Sequence, residues 1–432
     1  MRPALLALAG IVGVMIFFLA AGLLGAAALV VALWGARLAQ FFSLRMPQRI
    51  QQELTAICPP VAIILPIKGL EPGVRENIKA LCRQDYPNYR VLFAVESATD
   101  PVVPALKQLA GELGCRTQIV VAGIARDRGQ KIHNQLAAVA RTNADDHILA
   151  FMDADANPGP KWLHALVHPL TYGPWVGATT GYRFYVPDQP HPANALLCVA
   201  NAGVAVLFGP FRRTFAWGGS MAIRREDFFG YGVNDAWQHA LSDDYCLTWC
   251  VKKQARKQIH FVPQCMVASE CHHTWRSLFD FAVRQYRITR ICSPGAYLAA
   301  VLGPLLYLGA MIVLPVAAVL AAAGGAWFWW LFLAGEIALY GATILRGLFL
   351  LRVGKRLLPA QWPTISRRWA WFTIYYPAVQ AFNLTAVAVA GVGRRINWRG
   401  ITYTMVSRTE THVDSFWPDQ SVLTQCQPGP GL

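Results

Sequence analysis

ILAFMDADAN, residues 148–157, is the stretch that decides the fold. Its five apolar residues, Ile148 to Met152, fit a buried strand, and two carboxylates, Asp153 and Asp155, follow where the apolar run stops. Open α/β sheets bind ligands beyond the carboxyl ends of their strands, and Mg²⁺ and Mn²⁺ prefer carboxylate oxygens. The stretch therefore predicts a strand that delivers a metal and phosphate site. An isolated Asp-x-Asp is more often a solvated turn, so this prediction depends on the rest of the chain.

The sequence around this stretch predicts parallel strands joined by helices. Short apolar runs separated by Pro, Gly and charged turns extend over residues 60–292, and this alternation is typical of an α/β domain. The predicted strands before the acidic pair are 61–65, 90–95 and 118–122, and the predicted helices are 77–83, 104–113 and 131–140. The chain contains neither GxGxxG nor GxxxxGKS/T, which argues against a dinucleotide fold and a P-loop.

Apolar segments at both ends predict helices that cross a membrane. Of the 432 residues, 55% are hydrophobic, and the mean hydropathy of +0.33 is too high for a purely soluble chain. Residues 3–34 exceed both the roughly 20 residues that cross a bilayer and the roughly 15 of a signal-peptide core, so we predict a retained anchor. Residues 296–322 and 326–350 predict a hairpin of two further spans.

Two other apolar segments are harder to place. Residues 369–392 are long enough to span, but arginines flank both ends. One crossing cannot leave both flanks on the same side, so we predict a re-entrant or kinked pair of short helices broken near Pro377. For the shorter stretch 193–208, a buried core helix and a helix in the membrane plane both remain open.

Charge and cysteine usage indicate the side of the membrane. Arg37, Arg45 and Arg49 follow the first apolar segment, and positive charge there places the following chain in the cytoplasm. Ten scattered cysteines lack the dense spacing of a secreted disulfide framework. The net charge of +15 suits an anionic membrane surface and a phosphorylated substrate. Without a zinc finger or an RNA-binding motif, we predict no nucleic-acid partner.

These features divide the chain into five parts and predict a multi-pass membrane protein with a cytosolic α/β domain. The parts are an N-terminal transmembrane anchor at 1–36, a cytosolic linker at 37–59, the α/β domain at 60–292, C-terminal membrane and interfacial helices at 293–408, and a loosely ordered tail at 409–432.

Two pairs of acidic residues supply groups that sugar transfer from a nucleotide-sugar requires. That reaction needs a cation across the diphosphate, a base for the acceptor proton, and positive charge beside the leaving group. Asp155, supported by Asp153, can hold Mg²⁺ or Mn²⁺. Asp244, beside Asp243, is a candidate base, because burial next to another acid raises its affinity for a proton.

Two arginines supply the positive charge. Arg284 and Arg287, three residues apart on one face of a predicted helix, offer guanidinium forks for phosphate oxygens. Structural readings remain open, since Asp243 and Asp244 can cap a helix and the arginines can snorkel beside the first span of the hairpin. We take Asp244, Arg284 and Arg287 as the catalytic candidates.

Four further motifs accompany the acidic residues in a fixed order. They are PIKGLEP at 66–72, QDYPNY at 84–89, KIHNQL at 131–136 and RQYRI at 284–288. This ordered set resembles the ceramide glucosyltransferase branch of the GT-A glycosyltransferases, within the family 2 and 21 group. The four segments are similar to the entry motif of that branch, its DYPxYEV-type turn, its KxNNL donor segment and its (Q/R)xxRW motif.

The resemblance implies an α/β fold with a nucleotide-sugar-binding domain of the GT-A type and apolar helices at both ends. Asp153 to Asp155 correspond to the second acidic motif of the family, and Asp244 corresponds to the third, catalytic one. The donor-binding residues that it implies are Lys68, Glu96, Asp100, Lys131, Asn134 and Asp153.

Two positions depart from the family pattern. Glu96 stands where the family places an aspartate, which leaves open whether Glu96 or Asp100 reads the nucleobase. Ile288 replaces the tryptophan of the last motif, a residue associated with the acceptor, so the acceptor is less determined than the donor. Residues 217–220, WGGS, predict a tight loop where backbone approaches a ligand. The residues that we place on the acceptor side are Trp217, Gly219, Ser220, Asp243 and Gln285.

The activity that the resemblance implies is inverting transfer from a UDP-sugar, with glucose expected, to the hydroxyl of a membrane lipid, with ceramide expected, at the cytosolic face. We expect the lipid to enter from the bilayer near 193–215 and the basic segment 397–400. Alternatives are a hopanoid or diacylglycerol glycosyltransferase and a processive polysaccharide synthase, which few spans and Ile288 disfavour. A non-enzymatic membrane transporter or scaffold would not explain acidic motifs at strand ends.

Overall fold

A computed structural model describes residues 2–50, 57–71, 73–187, 191–208 and 214–416, with side chains of the first helix described from 12 to 44. The strands are β1 Val61–Pro66, β2 Tyr89–Val95, β3 Thr117–Val121, β4 Ile148–Met152, β5 Val176–Pro187, β6 Ser220–Arg224, β7 Gln258–Cys271, β8 Arg395–Trp398, β9 Ile401–Met405 and β10 Thr411–Phe416. The helices are α1 Arg2–Ile50, α2 Val74–Leu81, α3 Val102–Leu113, α4 Gln130–Val139, α5 Trp162–Tyr172, α6 Pro192–Ala205, α7 Arg225–Gly230, α8 Val233–Trp237, α9 Asp243–Trp249, α10 Trp275–Cys292, α11 Pro294–Ala323, α12 Trp329–Leu357, α13 Trp362–Ser366, α14 Trp369–Phe372 and α15 Tyr376–Ala390.

Seven strands form one mixed sheet in the order β3-β2-β1-β4-β6-β5-β7. The first four are parallel, as the alternation of strands and helices predicts, and Val61 of β1 pairs with both Tyr89 of β2 and Ile148 of β4. β6 then runs antiparallel to β4 and β5, while β7 is parallel to β5. Parallel strands end at one edge, so the loops after β1 and β4 lie side by side.

Alternate residues of the central strands face two separate cores, which is why β1 and β4 read as continuous apolar runs. Ile63 of β1 packs on one side with α2, α3 and α5. Ile64 and Phe151 pack on the other side with α4, α8 and α9. Helices on both faces hold the loop after β4 rigidly, and this loop carries the first acidic pair.

Three helices of the described chain are long and apolar enough to cross a membrane, namely Val12–Leu44 within α1, α11 and α12. The hairpin prediction is confirmed by α11 and α12, and α1 packs against both. The next apolar segment is broken as predicted, because α14 ends at Phe372 and α15 begins at Tyr376 with Pro377 in its first turn.

α6 is a core helix, which resolves the two readings of 193–208. Leu196, Cys198 and Ala202 are buried, and α6 packs in a cluster with Phe184 of β5 and Leu350 of α12. The same cluster therefore joins the sheet to the helices that are long enough to span.

A second, three-stranded antiparallel sheet is formed by β8, β9 and β10. Our expectation of a loosely ordered tail from 409 was wrong for Thr411–Phe416, which is β10 and pairs with β9. The reason is the edge of β9, whose backbone groups pair with β10, while its buried Ile401, Tyr403 and Met405 pack against Leu241 and Ile288. The rest of the expected tail, 417–432, lies outside the described residues. The other domain boundaries stay predictions.

Gly181 of β5 provides a test of the sheet packing. A Cβ at Gly181 would lie 2.1 Å from the Cys265 carbonyl oxygen and 2.7 Å from Ser220 Oγ. We expect Gly181→Ala to lower the free energy of unfolding by about 2 kcal/mol, because a rigid sheet cannot absorb the added methyl group. Thermal unfolding of the purified protein in detergent, followed by tryptophan fluorescence, measures this.

Gly230→Ala is the matched control for that substitution. Gly230 ends α7, and a Cβ there meets nothing within 4 Å, so the variant should unfold at the parental temperature or slightly above it. Equal unfolding temperatures for Gly181→Ala and the parent would contradict the packing of β5 between β6 and β7.

Candidate active site

A cavity of about 2240 Å³ opens at the carboxyl edge of the parallel strands. It brings together ten of the residues singled out from the sequence: Lys68, Lys131, Asn134, Asp153, Asp155, Trp217, Asp243, Asp244, Arg284 and Gln285. Five others lie outside its lining: Glu96, Asp100, Gly219, Ser220 and Arg287. The acids far apart along the chain therefore share one site with one of the two expected arginines.

The first acidic pair is held by two cations. Lys131 Nζ lies 2.7 Å from Asp153 Oδ1 and 3.0 Å from Asp243 Oδ2. Arg183 spans the pair, with Nη2 3.0 Å from Asp153 Oδ2 and Nη1 2.8 Å from Asp155 Oδ2. Lys131 thus links the end of β4 to the start of α9. This role adds to the donor-holding role expected for its motif.

Arg183 is a site residue that the sequence analysis missed. Its guanidinium lies 4.6 Å from the ring centroid of Trp217 and 5.3 Å from that of Tyr185, so aromatic faces and carboxylates fix it together. The available signal was a charged residue inside the otherwise apolar strand GYRFYV. That signal could not name its partners, because β5 reaches the acidic pair only through the order of the sheet.

The pKa shifts follow from burial and from these ion pairs. Burial raises the pKa of Asp153, but Lys131 and Arg183 outweigh it and the net shift is downward. Burial lowers the pKa of Lys131, and Asp153 and Asp243 reverse this to a net increase. The pKa of Arg183 rises in the same way, since Asp155 and Asp153 outweigh burial. All three side chains are therefore charged at neutral pH.

The acidic pair fits a divalent cation by its chemistry. Asp153 and Asp155 present carboxylate oxygens at one point of the cavity, and the Arg183 guanidinium that spans them shows that this point binds positive charge. Over the described residues no group of three or more His, Cys, Asp and Glu side chains gathers as a metal site. Two carboxylates alone leave the remaining ligands to water and substrate phosphate, as is usual for Mg²⁺.

Asp244 has the environment of a general base. Its Oδ1 accepts hydrogen bonds from Ser242 Oγ at 2.5 Å and from the Tyr245 backbone N–H at 2.7 Å. Burial, and secondly the neighbouring charge of Asp243, raise the pKa of Asp244 to about 6, against the opposing effects of Ser242 and Lys131. A carboxylate of this kind is ionised at neutral pH and still basic enough to accept a proton.

Asp243 is anchored rather than free. It is buried, and its Oδ2 accepts a hydrogen bond from Gln135 Nε2 at 2.9 Å besides its pairing with Lys131. Both acids lie in the first turn of α9, where the helix dipole favours negative charge. Asp243 and Asp244 therefore both begin a helix and line the cavity.

The loop 217–220 is tight, as predicted. A Cβ at Gly218 would lie 2.5 Å from Asp243 Oδ2, and one at Gly219 would lie 2.1 Å from the Trp217 ring. Gly219 and Ser220 do not reach the cavity: Gly219 O accepts from the Asp153 N–H, and buried Ser220 Oγ accepts from Trp162 Nε1. Their expected acceptor-side contact is therefore replaced by a role in shaping the loop.

The two arginines of α10, Arg284 and Arg287, contact different parts of the protein. Arg284 lines the cavity, with its guanidinium 5.4 Å from the Phe281 ring centroid and 5.8 Å from that of Trp398. Arg287 instead donates to the Arg395 carbonyl oxygen at 2.6 Å. Residues three apart differ by about 60° around a helix, and here that rotation turns Arg287 toward Arg395, the first residue of β8. The expectation that both arginines face the phosphate site was wrong for Arg287.

The two residues expected to read the nucleobase, Glu96 and Asp100, have different partners in the structure. Asp100 is buried, and its carboxylate accepts from the N–H groups of Gly69 and Val102, so it holds the loop after β1 and the start of α3. Glu96 Oε2 lies 3.1 Å from Lys68 Nζ, which lines the cavity. Glu96 is thus linked to the site through Lys68, and Asp100 is structural.

Asn134 lines the cavity, but its side-chain amide is already hydrogen-bonded to α4 and to β2. Its Oδ1 accepts from Gln130 Nε2 at 2.8 Å, and its Nδ2 donates to the Ala94 carbonyl oxygen at 3.3 Å. Ile288, at the position of the family's tryptophan, is buried and packs with Ile396 and Tyr403 of the second sheet. The side chain of Ile288 is smaller than that of tryptophan, and the second sheet packs against it.

A mixed α/β sheet with paired carboxylates and arginines at its carboxyl edge, and with apolar helices at both ends, defines a GT-A type glycosyltransferase. The family model described as "Glycosyl transferase family 21" matches residues 17–411. The chain belongs to that family and is a glycosyltransferase.

One curated relative is the ceramide glucosyltransferase of Gibberella zeae, 40% identical over 62 residues that span 14% of this chain and 12% of the relative. Among solved structures, a mannosyltransferase from Pyrobaculum calidifontis in complex with GDP-Man and Mn²⁺ is 18% identical, with a TM-score of 0.48, over 85% of this chain and 98% of that one. A glucosyl-3-phosphoglycerate synthase from Mycobacterium tuberculosis is 16% identical over 55% of this chain and 80% of that one, with a TM-score of 0.37.

The raised pKa of Asp244 predicts the pH dependence of turnover. If Asp244 is the base, kcat/KM should fall about tenfold per pH unit below pH 6, because the protonated carboxyl cannot accept a proton. Ser242→Ala removes a donor that favours the charged form, so the pKa should rise and the acidic limb should move to higher pH. A pH series of initial rates measures both.

Ser366→Ala is the control for that shift, because its hydroxyl donates to the Pro363 carbonyl oxygen outside the cavity lining. Its acidic limb should match that of the parent. A parental limb near pH 4, the ordinary range of an aspartate, would remove Asp244 as the base.

Proposed function

We propose that the protein transfers a sugar with inversion from a UDP-sugar, glucose first among the candidates, to the hydroxyl of a membrane lipid, ceramide first, at the cytosolic face. The observation that carries this proposal is the composition of the cavity. Its lining combines the charged cluster around Asp153 and Asp244 with a large set of apolar side chains, which we call the polar and the apolar end. A donor with a diphosphate and an acceptor with hydrocarbon chains are the two substrates that such a cavity suits.

The apolar end is built from the helices that join the domain to the membrane. Its lining side chains come from α1, from α6 and the short turn after it at Val206–Phe208, from α11 and from α15: Trp34, Leu38, Leu196, Leu197, Val204, Leu207, Ala296, Ala300 and Phe382. Val204 of α6 and Leu207 of the turn are each 38% exposed, so this segment presents apolar surface toward the cavity in spite of the buried core face of α6. This supports lateral entry of a lipid beside α6, as expected for 193–215.

The polar end supports a single displacement. Asp244 would remove the proton of the lipid hydroxyl as it attacks the anomeric carbon opposite the leaving group. Arg284 would stabilise the nucleoside diphosphate as it leaves, since its guanidinium makes no hydrogen bond or ion pair with the described residues. Lys131 would keep Asp153 and Asp243 charged and in place throughout.

Asp155 and Asp153 would hold Mg²⁺ or Mn²⁺ on the donor diphosphate. A bound divalent cation neutralises charge on the leaving group. Because Arg183 already pairs with both carboxylates, cation binding at this point competes with that arginine for the same oxygens.

The cytosolic face follows from the positive-inside rule applied to the flank of α1. A hopanoid or diacylglycerol acceptor would use the same chemistry, and the apolar wall does not choose among these lipids. For a processive synthase, the family's tryptophan would be expected where buried Ile288 packs, so the single transfer is favoured.

One assay tests donor, acceptor and base together. Purified protein in detergent is incubated with UDP-glucose, UDP-galactose or UDP-GlcNAc against ceramide, diacylglycerol and hopanoid polyols, with mass spectrometry of the products. We expect one sugar per lipid, and a loss of about a hundredfold or more for Asp244→Asn with UDP binding retained.

Asp235→Asn is the matched control, because Asp235 is exposed on α8 away from the cavity. It should keep the parental rate. Long polysaccharide products would replace the proposal with the processive alternative, and full activity of Asp244→Asn would remove the proposed base.

The divergence of the α10 arginines gives a second test. Arg284→Ala should lower donor kcat/KM about tenfold or more, because a charge-assisted contact to the leaving phosphate is lost. Arg287→Ala should cost less activity and more thermal stability, since its side chain is hydrogen-bonded to the backbone of Arg395 in β8. Initial rates and unfolding temperatures of both variants decide this, and the reverse order would restore Arg287 to the phosphate site.

A further inference from the structure

The turn that joins β8 and β9 has an unusual conformation for a residue with a long side chain. Arg399 has φ 51° and Gly400 has φ 78°, the two left-handed residues that a tight hairpin of this kind requires. Glycine or asparagine normally occupies such positions, and an arginine with positive φ is uncommon. The turn holds its arginine in one orientation, at the tip of the second sheet.

That tip reaches the donor side of the cavity. Arg399 Nη2 lies 2.9 Å from Glu71 Oε1, and Nη1 donates to the Lys68 carbonyl oxygen at 3.0 Å. Both partners belong to the loop after β1, which resembles the entry motif, and both line the cavity with Arg399. Our expectation that residues 397–400 lie near the entering acceptor stays a prediction, and the contacts of Arg399 with this loop indicate a second role for the turn.

Other charged groups of the donor side face the same space. Trp398, next to Arg399, lies against the Arg284 guanidinium. Arg399 is also one of the cations that lower the pKa of Asp153, after burial and the larger effects of Lys131 and Arg183. Positive charge from α10, from the loop after β1 and from the second sheet therefore lines the cavity that holds the first acidic pair.

The ion pair between Arg399 and Glu71 is weak enough for Arg399 to bind another anion instead. The side chains of Arg399 and Glu71 are 44% and 54% exposed, and exposed pairs contribute little because solvent screens them. A diphosphate offers more negative charge and paired oxygens that match a guanidinium fork. Arg399 can thus leave Glu71 for a phosphate without burying an unpaired charge.

We propose that Arg399 is a donor-binding residue that the second sheet delivers to the diphosphate of the nucleotide-sugar, and that Glu71 holds its guanidinium until the donor arrives. The proposal rests on the proposed function and extends it to a residue far along the chain from the sheet that forms the rest of the donor site. The contact gives the arginine at this left-handed position a role that glycine could not supply.

The test is UDP affinity of the full chain in detergent with Mg²⁺, measured by titration calorimetry. Arg399→Gly suits the left-handed turn and removes only the side chain, and we expect it to weaken UDP binding about tenfold. Arg399→Lys keeps a cation and should lose less. Glu71→Gln should bind UDP at least as tightly as the parent, because the carboxylate competes with the diphosphate for Arg399.

Arg395→Ala is the matched control on the same sheet, with its side chain 81% exposed and its Nε 3.6 Å from Asp414. It should bind UDP like the parent. If Arg399→Gly binds UDP as tightly as the parent, the proposal is overturned. It is also overturned if Glu71→Gln weakens UDP binding as much as Arg399→Gly does, because the ion pair would then only hold the structure together. A parent that binds no UDP would instead overturn the proposed function, together with this extension of it.

Discussion

The site depends on one ammonium group between two carboxylates. Lys131 lies 2.7 Å from Asp153 and 3.0 Å from Asp243, so it joins the end of a central strand to the start of the short helix that carries Asp244. Without that charge, two buried acids would repel each other across the cavity, and burial would favour their neutral forms. Asp244 makes no ion pair with Lys131, and burial and the neighbouring Asp243 raise its pKa to about 6.

Much of the fold follows from local patterns, and the remainder depends on pairing across long distances. Strands 61–66, 89–95 and 148–152 are apolar on both faces and bounded by turn residues, so their existence and parallel order could be predicted. The antiparallel insertion of β6 and the pairing of β5 with β7 could not, because no local pattern says which strand neighbours which. The second sheet was missed for a related reason: its strands are short, and only one face of the sheet is buried.

The same division holds within the site. Asp153, Asp155 and Asp244 were found because acids at element ends have a local signature, and Lys131 because of its motif. The roles of Arg183 and Asp100 depend on where β5 and the loop after β1 lie in three dimensions, which spacing does not reveal. Arg287 shows the limit of helical spacing: two arginines three apart were read as one surface, but the carbonyl of Arg395 competes for one of them.

The charges already present constrain how a donor can bind. Lys131 and Arg183 are engaged by the acids, and Arg399 is engaged by Glu71, which leaves Arg284 as the cation with no hydrogen bond or ion pair among these cavity-lining residues. One guanidinium cannot balance a diphosphate in a partly desolvated cavity. On the proposed function, a divalent cation at Asp153 and Asp155, or release of Arg399 from Glu71, would add positive charge beside Arg284 when the donor binds.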